Sequence, residues 1–292
     1  MLTIVSCSAI LELKFSVIIP TYNRSATLGR AIQSVISQTL PAWEIIVVDD
    51  GSSDDTRKLV EKFSHVRYHY QANAGVCAAR NKGAEIATGD WLIFLDSDDE
   101  LELDSLKSFE IELQSNPSIQ VLQASYTLED SGNLTTRKVT TGNSAFVSGS
   151  FVIKKEVFQI LGGYDCRLKF AENTELQFRL SENAIPINKS DFLSFKYHSS
   201  SNGGSKNLQN MLDSIRYILT KHDKNLNEHV KHLYHQNIGV IEMRFGRFEP
   251  ARKHLWKAWK YKPKKISTLL RIALAYFPLL ARKIYTPEIG LR

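Results

Sequence analysis

Short apolar runs bounded by turn residues alternate with amphipathic stretches over the first hundred residues. Residues 15–20 (FSVIIP), 44–48 (EIIVV) and 91–95 (WLIFL) are rich in β-formers and flanked by Gly, Pro, Asp or Thr. Runs of this length and composition read as strands buried on both faces of a sheet. Between them, residues 26–38 place Leu28, Ile32, Val35 and Ile36 on one helical face. Residues 55–63 read as a helix and 66–70 as a short strand. Residues 75–87 form a helix of small side chains that carries Arg80 and Asn81. The order β-α-β-α-β-α-β predicts an α/β fold, a mostly parallel sheet with helices on both faces. No G-x-G-x-x-G follows the first strand, which argues against a dinucleotide site.

The third apolar run ends in Asp96-Ser97-Asp98-Asp99-Glu100. Ligands of open α/β sheets bind beyond the carboxyl ends of the strands, which is where these acids fall. Three carboxylates over four residues repel one another unless a cation or several donors compensate. Oxygen ligands suit hard ions such as Mg2+ or Mn2+, and a diphosphate can share the ion. The plainer alternative is a solvated strand-to-helix loop in which Asp98 or Asp99 caps the next helix.

Three segments taken in order, SVIIPTYNR, EIIVVDDGSSDDT and NAGVCAARNKGAEIATGDWLIFLDSDDE, resemble the ordered motifs of the family 2 glycosyltransferases of GT-A fold. The resemblance covers about residues 14–205. It implies a Rossmann-like, mostly parallel mixed sheet flanked by helices, and a nucleotide-sugar donor. Pro20, Thr21 and Tyr22 take the place of the loop that lines the nucleotide, and an aromatic ring such as Tyr22 stacks well on a base. Asp50 stands where the family's aspartate accepts a hydrogen bond from the base, which suits the N–H of uracil. Asp49 and Ser52 are expected to hold the turn. Arg80 stands where a basic residue meets the diphosphate side, an ion pair with a neighbouring Asp being the alternative. The D-x-D element is Asp96-Ser97-Asp98. It implies that Asp98 ligates Mn2+ or Mg2+ and that Asp96 and Ser97 belong to the donor site.

On the acceptor side, Gly162-Gly163-Tyr164-Asp165 followed by AENTELQFRL resembles the family's G-G-[FY]-D … E-D-x-[DE]-L-x-x-R-L. There the Asp of the E-D pair is the base that deprotonates the acceptor hydroxyl. Here the pair is Glu172-Asn173, and a neutral amide is no base near neutral pH. Three readings stay open: Glu172 does the work one position earlier, another acid such as Asp165 or Glu175 does it, or the chain is a relative that only binds. The run FLSFKYH resembles the segment that brings a His toward the metal, which makes His198 a second candidate ligand.

Composition changes this picture in one respect. The chain of 292 residues is ordinary in apolar (43%) and charged (23%) content, but its net charge of +6 is unevenly spread. Residues 1–205 hold 19 Lys/Arg and 25 Asp/Glu, a net of −6, while residues 206–292 hold 18 and 6, a net of +12. The chain is therefore expected to divide into an N-terminal extension (1–13), a catalytic domain (14–205) and a basic helical C-terminal region (206–292). Interleaved Trp256, Trp259 and Tyr261 among lysines, and an apolar stretch over 266–285 with a kink at Pro278, suit an anionic membrane surface better than nucleic acid. The string GRFEPARKHLWKAWKYKP resembles the second helix of a tetratricopeptide hairpin, though one unit makes no repeat. No run reaches the length of a transmembrane helix, no basic residue precedes the apolar start, and three scattered cysteines suggest a reducing compartment. Together these readings predict a cytoplasmic enzyme of polysaccharide biosynthesis, peripheral on the inner face of the cell membrane. It would be an inverting, metal-dependent glycosyltransferase moving a sugar from a UDP-sugar to a hydroxyl of a glycan or lipid-linked glycan. The alternative is a non-catalytic sugar-nucleotide or glycan-binding relative, favoured by Asn173.

Overall fold

The computed structural model describes residues 12–130, 135–141, 145–199 and 207–286. Most of the expected N-terminal extension therefore lies outside the described residues. The chain divides into two compact units, Met1–Cys166 with Leu176–Ser201, and Arg167–Glu175 with Asn202–Arg292.

The first unit is built on β1 (Phe15–Thr21), every residue of which is buried. β1 pairs in parallel with β2 (Glu44–Asp49) on one side and with β4 (Trp91–Phe94) on the other. β3 (Val66–Tyr70) extends the parallel set beyond β2. The far half is mixed and uses β5 (Glu100–Leu101), β6 (Val121–Asp130), β8 (Phe151–Lys154) and β9 (Asn188–Ser199). The sheet order is β3-β2-β1-β4-β8-β6-β9-β5, and β7 (Thr135–Val139) pairs with β6. Alternation along β1 divides its side chains between two cores, as the period of two requires. Phe15, Val17 and Ile19 pack with Leu28, Ile32 and Val35 of α1 (Leu28–Ile36) and with Leu106, Phe109 and Leu113 of α4 (Ser105–Ser115). Ile18 packs on the opposite face with Cys77 and Ala84 of α3 (Val76–Ile86), and with Leu176 and Leu180 of α6 (Glu172–Glu182). The small residues of α3 have a steric cause. A Cβ at Gly83 would overlap Ile18 Cγ2, so only glycine lets this helix sit so close to β1.

The mostly parallel mixed sheet matches the expectation, and local differences follow from turn chemistry. The acids after β4 do not lead into a helix. They are followed by β5, which pairs antiparallel with β9, and α4 starts only at Ser105. Neither Asp98 nor Asp99 is a helix cap. α1 starts after Thr27 without a side-chain cap. β8 starts only at Phe151, after a turn at Ser148–Ser150.

The second unit is helical: α7 (Leu208–Lys221), α8 (Glu228–Arg244), α9 (Phe248–Tyr261), α10 (Ile266–Ala275) and α11 (Pro278–Ile284). Asn207 and Asn227 cap α7 and α8 by accepting from the N–H of Asn210 and Val230. Pro278 does not kink one long helix. It opens α11 at the first turn, where its missing N–H has no partner to lose. The strip Arg167–Glu175, which the sequence assigned to the catalytic domain, belongs to this unit. Arg167 lies over the Tyr217 ring (4.7 Å), Lys169 N–H donates to Ser214 Oγ (3.3 Å), and buried Glu175 takes Lys221 (2.6 Å) and His222 (3.0 Å). Among the described residues no helix is long and apolar enough to cross a membrane.

α8 and α9 also bring together a half-buried histidine pair. His235 Nδ1 and His254 Nδ1 lie 3.0 Å apart, and His235 stacks on Tyr261 at 5.9 Å. Burial, then the field of Lys257, pulls His235 down to about 4, with Lys231 adding to this and Asp223 opposing it. Burial, His235, Lys257 and Arg216 do the same to His254. Both rings are therefore neutral in the fold, whereas unfolded histidines protonate near pH 6.5. The pair's contribution is complete above that value and is lost as pH falls toward 4. Thermal unfolding followed by tryptophan fluorescence should show the midpoint falling across this window. The double variant His235→Gln/His254→Gln should flatten the fall.

Candidate active site

Parallel pairing brings the carboxyl ends of β1, β2 and β4 to one edge of the sheet. The chain runs outward from β1 through β2 to β3 and then returns to the other side of β1 as β4, so the strand order reverses here. This is where open α/β sheets hold ligands.

Of the predicted nucleotide-lining residues, Pro20 and Thr21 are buried in β1, and the Thr21 hydroxyl has no hydrogen-bond partner. Tyr22 follows on the surface, with half of its area exposed. Its place is fixed by Asn23, which adopts φ +51°. Asn23 N–H donates to Ser52 Oγ (2.8 Å) and its Oδ1 accepts from Ser53 N–H (2.8 Å). The loops after β1 and β2 are thus locked together. Ser25 N–H adds a bond to Asp54 (3.0 Å). Burial works against the Asp54 charge, but donors from Thr56 and Ser25 outweigh it and hold the carboxyl at about 2.

The two aspartates at the end of β2, Asp49 and Asp50, are both buried. Asp49 accepts from Ser52 N–H (2.8 Å) and from the Tyr68 hydroxyl (2.6 Å), so it holds the turn. Burial and this contact push the Tyr68 hydroxyl well up. Asp50 accepts from Gln71 Nε2 (2.7 Å) and from the backbone N–H groups of Ala74 (2.9 Å) and Gly75 (2.8 Å). It thereby clamps the loop that opens α3. A carboxylate has room for about four hydrogen bonds, so one acceptor position remains beside these three.

The acids after β4 are met by three guanidinium groups. Arg80, buried, donates to Asp96 (2.6 Å) and lies over the Tyr164 ring (5.3 Å). The ion pair considered as the alternative for Arg80 is therefore formed. Arg30 donates to the Asp98 carbonyl (2.6 Å) and approaches Glu100 (3.2 Å), while Arg24 lies 4.0 Å from the Asp98 carboxylate. Ser97 is buried between the acids. Burial raises the Asp98 carboxyl and Asp96 raises it further, with Arg24 pulling the other way. Burial and Asp96 push Asp99 well above the carboxylate range, although it accepts from His198 N–H (2.9 Å). The same field, after burial, pushes Tyr197 up to about 12.

The chemistry of this donor set fits a hard cation. Asp96 and Asp98 supply carboxylate oxygens whose mutual repulsion a divalent ion would relieve. His198 stands differently. Its Nε2 is 2.8 Å from Glu100 and its Nδ1 3.4 Å from Glu129, so both ring nitrogens already face carboxylates. Among the described residues no group of three or more His, Cys, Asp or Glu side chains is arranged to hold a metal ion. The structure thus brings together Asp96, Ser97, Asp98 and Arg80, but does not turn His198 toward them as a ligand.

On the acceptor segment, Glu172 is the first residue of α6, half-buried, and Asn173 follows it. Ala171, just before, has φ +61°, a left-handed backbone that a non-glycine residue adopts at a cost. Glu175, one of the alternative bases, is fully buried against Lys221 and His222. Asp165 follows Tyr164, whose N–H and carbonyl are both held by the Asn81 amide. Sequence reasoning gave no role to Arg24, Arg30 or Glu129. Arg24 sits inside the PTYNR run and was open to notice. Arg30 and Glu129 reach the site only through the folding of α1 and β6.

The family model described as Glycosyl transferase family 2 matches residues 16–169, more than half of the chain. An uncharacterized glycosyltransferase of Haemophilus influenzae is 27% identical over 222 residues, covering 70% of this chain and 75% of that protein. An uncharacterized glycosyltransferase of Escherichia coli, YibD, is 46% identical over 92 residues, 30% of this chain and only 27% of its own length. Escherichia coli WfgD, named as a UDP-Glc:α-D-GlcNAc-diphosphoundecaprenol β-1,3-glucosyltransferase, is 44% identical over 87 residues, 29% of this chain and 34% of that protein. Among solved structures, residues 1–349 of Staphylococcus aureus TarS in complex with UDP-GlcNAc superpose with TM-score 0.67 at 17% identity, covering 93% and 92% of the two chains. That likeness confirms the GT-A type of fold.

Asn23→Ala should lose about 1–2 kcal/mol of stability, from the strained φ and the lost acceptor together. Asn23→Gly should recover the backbone share only. Denaturant unfolding of both variants separates the two contributions.

Proposed function

The chain belongs to glycosyl transferase family 2, and we propose that it moves a sugar, with inversion, from a UDP-sugar to a hydroxyl of a glycan or lipid-linked glycan. The observation that carries this reading is the cluster of Asp96, Asp98 and three guanidiniums at the switch point, beside the exposed Tyr22 ring. In this reading the uracil lies against Tyr22 and its N–H takes the remaining acceptor position of Asp50. Arg24 and Arg30, both partly exposed, offer charge-assisted hydrogen bonds to the diphosphate. Arg80 fixes Asp96 in place.

A divalent cation, Mn2+ or Mg2+, would be held by Asp96 and Asp98, and when bound it offsets negative charge on the departing nucleoside diphosphate. Inversion takes one displacement. The acceptor oxygen bonds to the anomeric carbon as the carbon–oxygen bond to the diphosphate breaks, and the hydroxyl proton goes to a base. We assign that base to Glu172. Asn173 cannot serve, and Glu175 is held by Lys221 and His222. A lipid-linked acceptor is suggested by the diphosphoundecaprenol substrate in the name of WfgD. It agrees with a basic helical region that draws the protein to the inner face of the cell membrane.

The second reading, a relative that binds sugar nucleotides or glycans without transfer, is favoured by Asn173 alone. Two experiments decide. Calorimetric titration with UDP should show binding that Mn2+ strengthens and EDTA weakens; equal affinity in both would remove the metal from the proposal. With a working donor, Glu172→Gln should lower transfer by about 10²–10⁴-fold while leaving UDP binding unchanged. Asn173→Asp should do little or harm. The reverse pattern, a gain from Asn173→Asp and indifference to Glu172→Gln, would mark a weakened enzyme. A wild type inert toward every nucleotide-sugar would mark a binder.

A further inference from the structure

We propose that α10 and α11 form a face that inserts into the headgroup and upper acyl region of an anionic bilayer. This deepens the membrane reading above and rests on it. The added claim is that apolar insertion, beyond charge attraction, holds the protein there.

The first observation is exposure. α10 packs inward through Thr268, Ile272 and Ala275, and α11 through Ala281. That inner stripe is complete, yet the outer side is also apolar. Leu279 is 82% exposed, Ile266 71%, Phe277 63% and Leu270 61%. Across residues 266–284, eight large apolar or aromatic side chains are more than a third exposed. A water-facing helix carries polar residues on its outer side; a helix apolar all round needs a second apolar environment.

The second observation is charge. Residues 250–286 contain ten Lys/Arg and no Asp or Glu. A second copy presenting this same face would bring like charges together, which disfavours self-association through it. The partner must combine negative charge with apolar depth in one layer, and the surface of an anionic bilayer does so. The adjoining part of α9 agrees. A groove of about 400 Å³, its surface mostly apolar, is edged by Lys253, Lys257, Lys260 and Trp256. Trp256 Nε1 donates to the Tyr276 hydroxyl (3.5 Å) at the end of α10. Lysines around an apolar floor suit lipid phosphates above acyl chains, and Trp and Tyr are the residues that settle at that boundary.

The test uses the full chain and vesicles of phosphatidylglycerol with phosphatidylcholine, or of phosphatidylcholine alone, sedimented at low and at high salt. Wild type should bind the anionic vesicles, and high salt should weaken the binding without abolishing it. Phe277→Glu/Leu279→Glu should bind at least ~10-fold more weakly at both salts, and Leu270→Asp should do the same from α10. These side chains are exposed, so the variants should keep the wild-type unfolding midpoint and UDP affinity. A wild type that ignores anionic vesicles overturns both the membrane reading and the insertion face. Variants that bind as well as wild type, with binding fully reversed by salt, overturn the insertion face and leave charge attraction standing. Variants that change the molecular mass measured by light scattering, but not vesicle binding, overturn it in favour of a protein interface.

Discussion

Repulsion among three carboxylates at the end of a buried strand is the constraint on which the catalytic unit depends. β4 delivers Asp96, Asp98 and Asp99 into a region where burial alone raises the cost of charge. Each is met from a different element. Arg80 of α3 takes Asp96, Arg30 of α1 and Arg24 of the preceding loop face Asp98 and its carbonyl, and the backbone N–H of His198 in β9 takes Asp99. The tight seating of α3, which Gly83 permits, brings Arg80 within reach of Asp96. Packing between the helix and β1 thus becomes an electrostatic property of the site.

The loops opposite the acids are fixed by a different means. Asn23 joins the β1 and β2 loops through its own backbone and amide, and Asp50 gathers the loop before α3. Both are polar residues whose bonds are largely internal. The conspicuous exposed group between them is the Tyr22 ring. An aromatic face in open solvent gains little for stability, so the ring contributes little to holding the frame around it.

The parallel half of the sheet was legible because buried strands leave continuous apolar runs, and their ends could be read from Pro, Asp and Gly. The D-x-D acids and Tyr22 were legible for the same reason, since each follows such a run directly. What sequence missed was tertiary. Arg30 and Glu129 have no local signature; they enter the site because α1 and β6 are folded against it. Asp99 reads equally well as a helix cap until β9 supplies His198 N–H, a partner 99 residues away. Pro278 marks a break on any reading, but whether it bends a helix or begins one depends on whether the preceding residues stay helical, and Tyr276 and Phe277 do not.

The strip Arg167–Glu175 shows how the two chemistries of the chain meet in one segment. Its motif resembles an acceptor-side element, yet its contacts belong to the helical unit: Lys169 to Ser214, Arg167 to Tyr217, Glu175 to Lys221 and His222. Glu172 therefore begins its helix inside a strip whose contacts lie within the helical unit. The left-handed Ala171 immediately before it is strain that these contacts must hold.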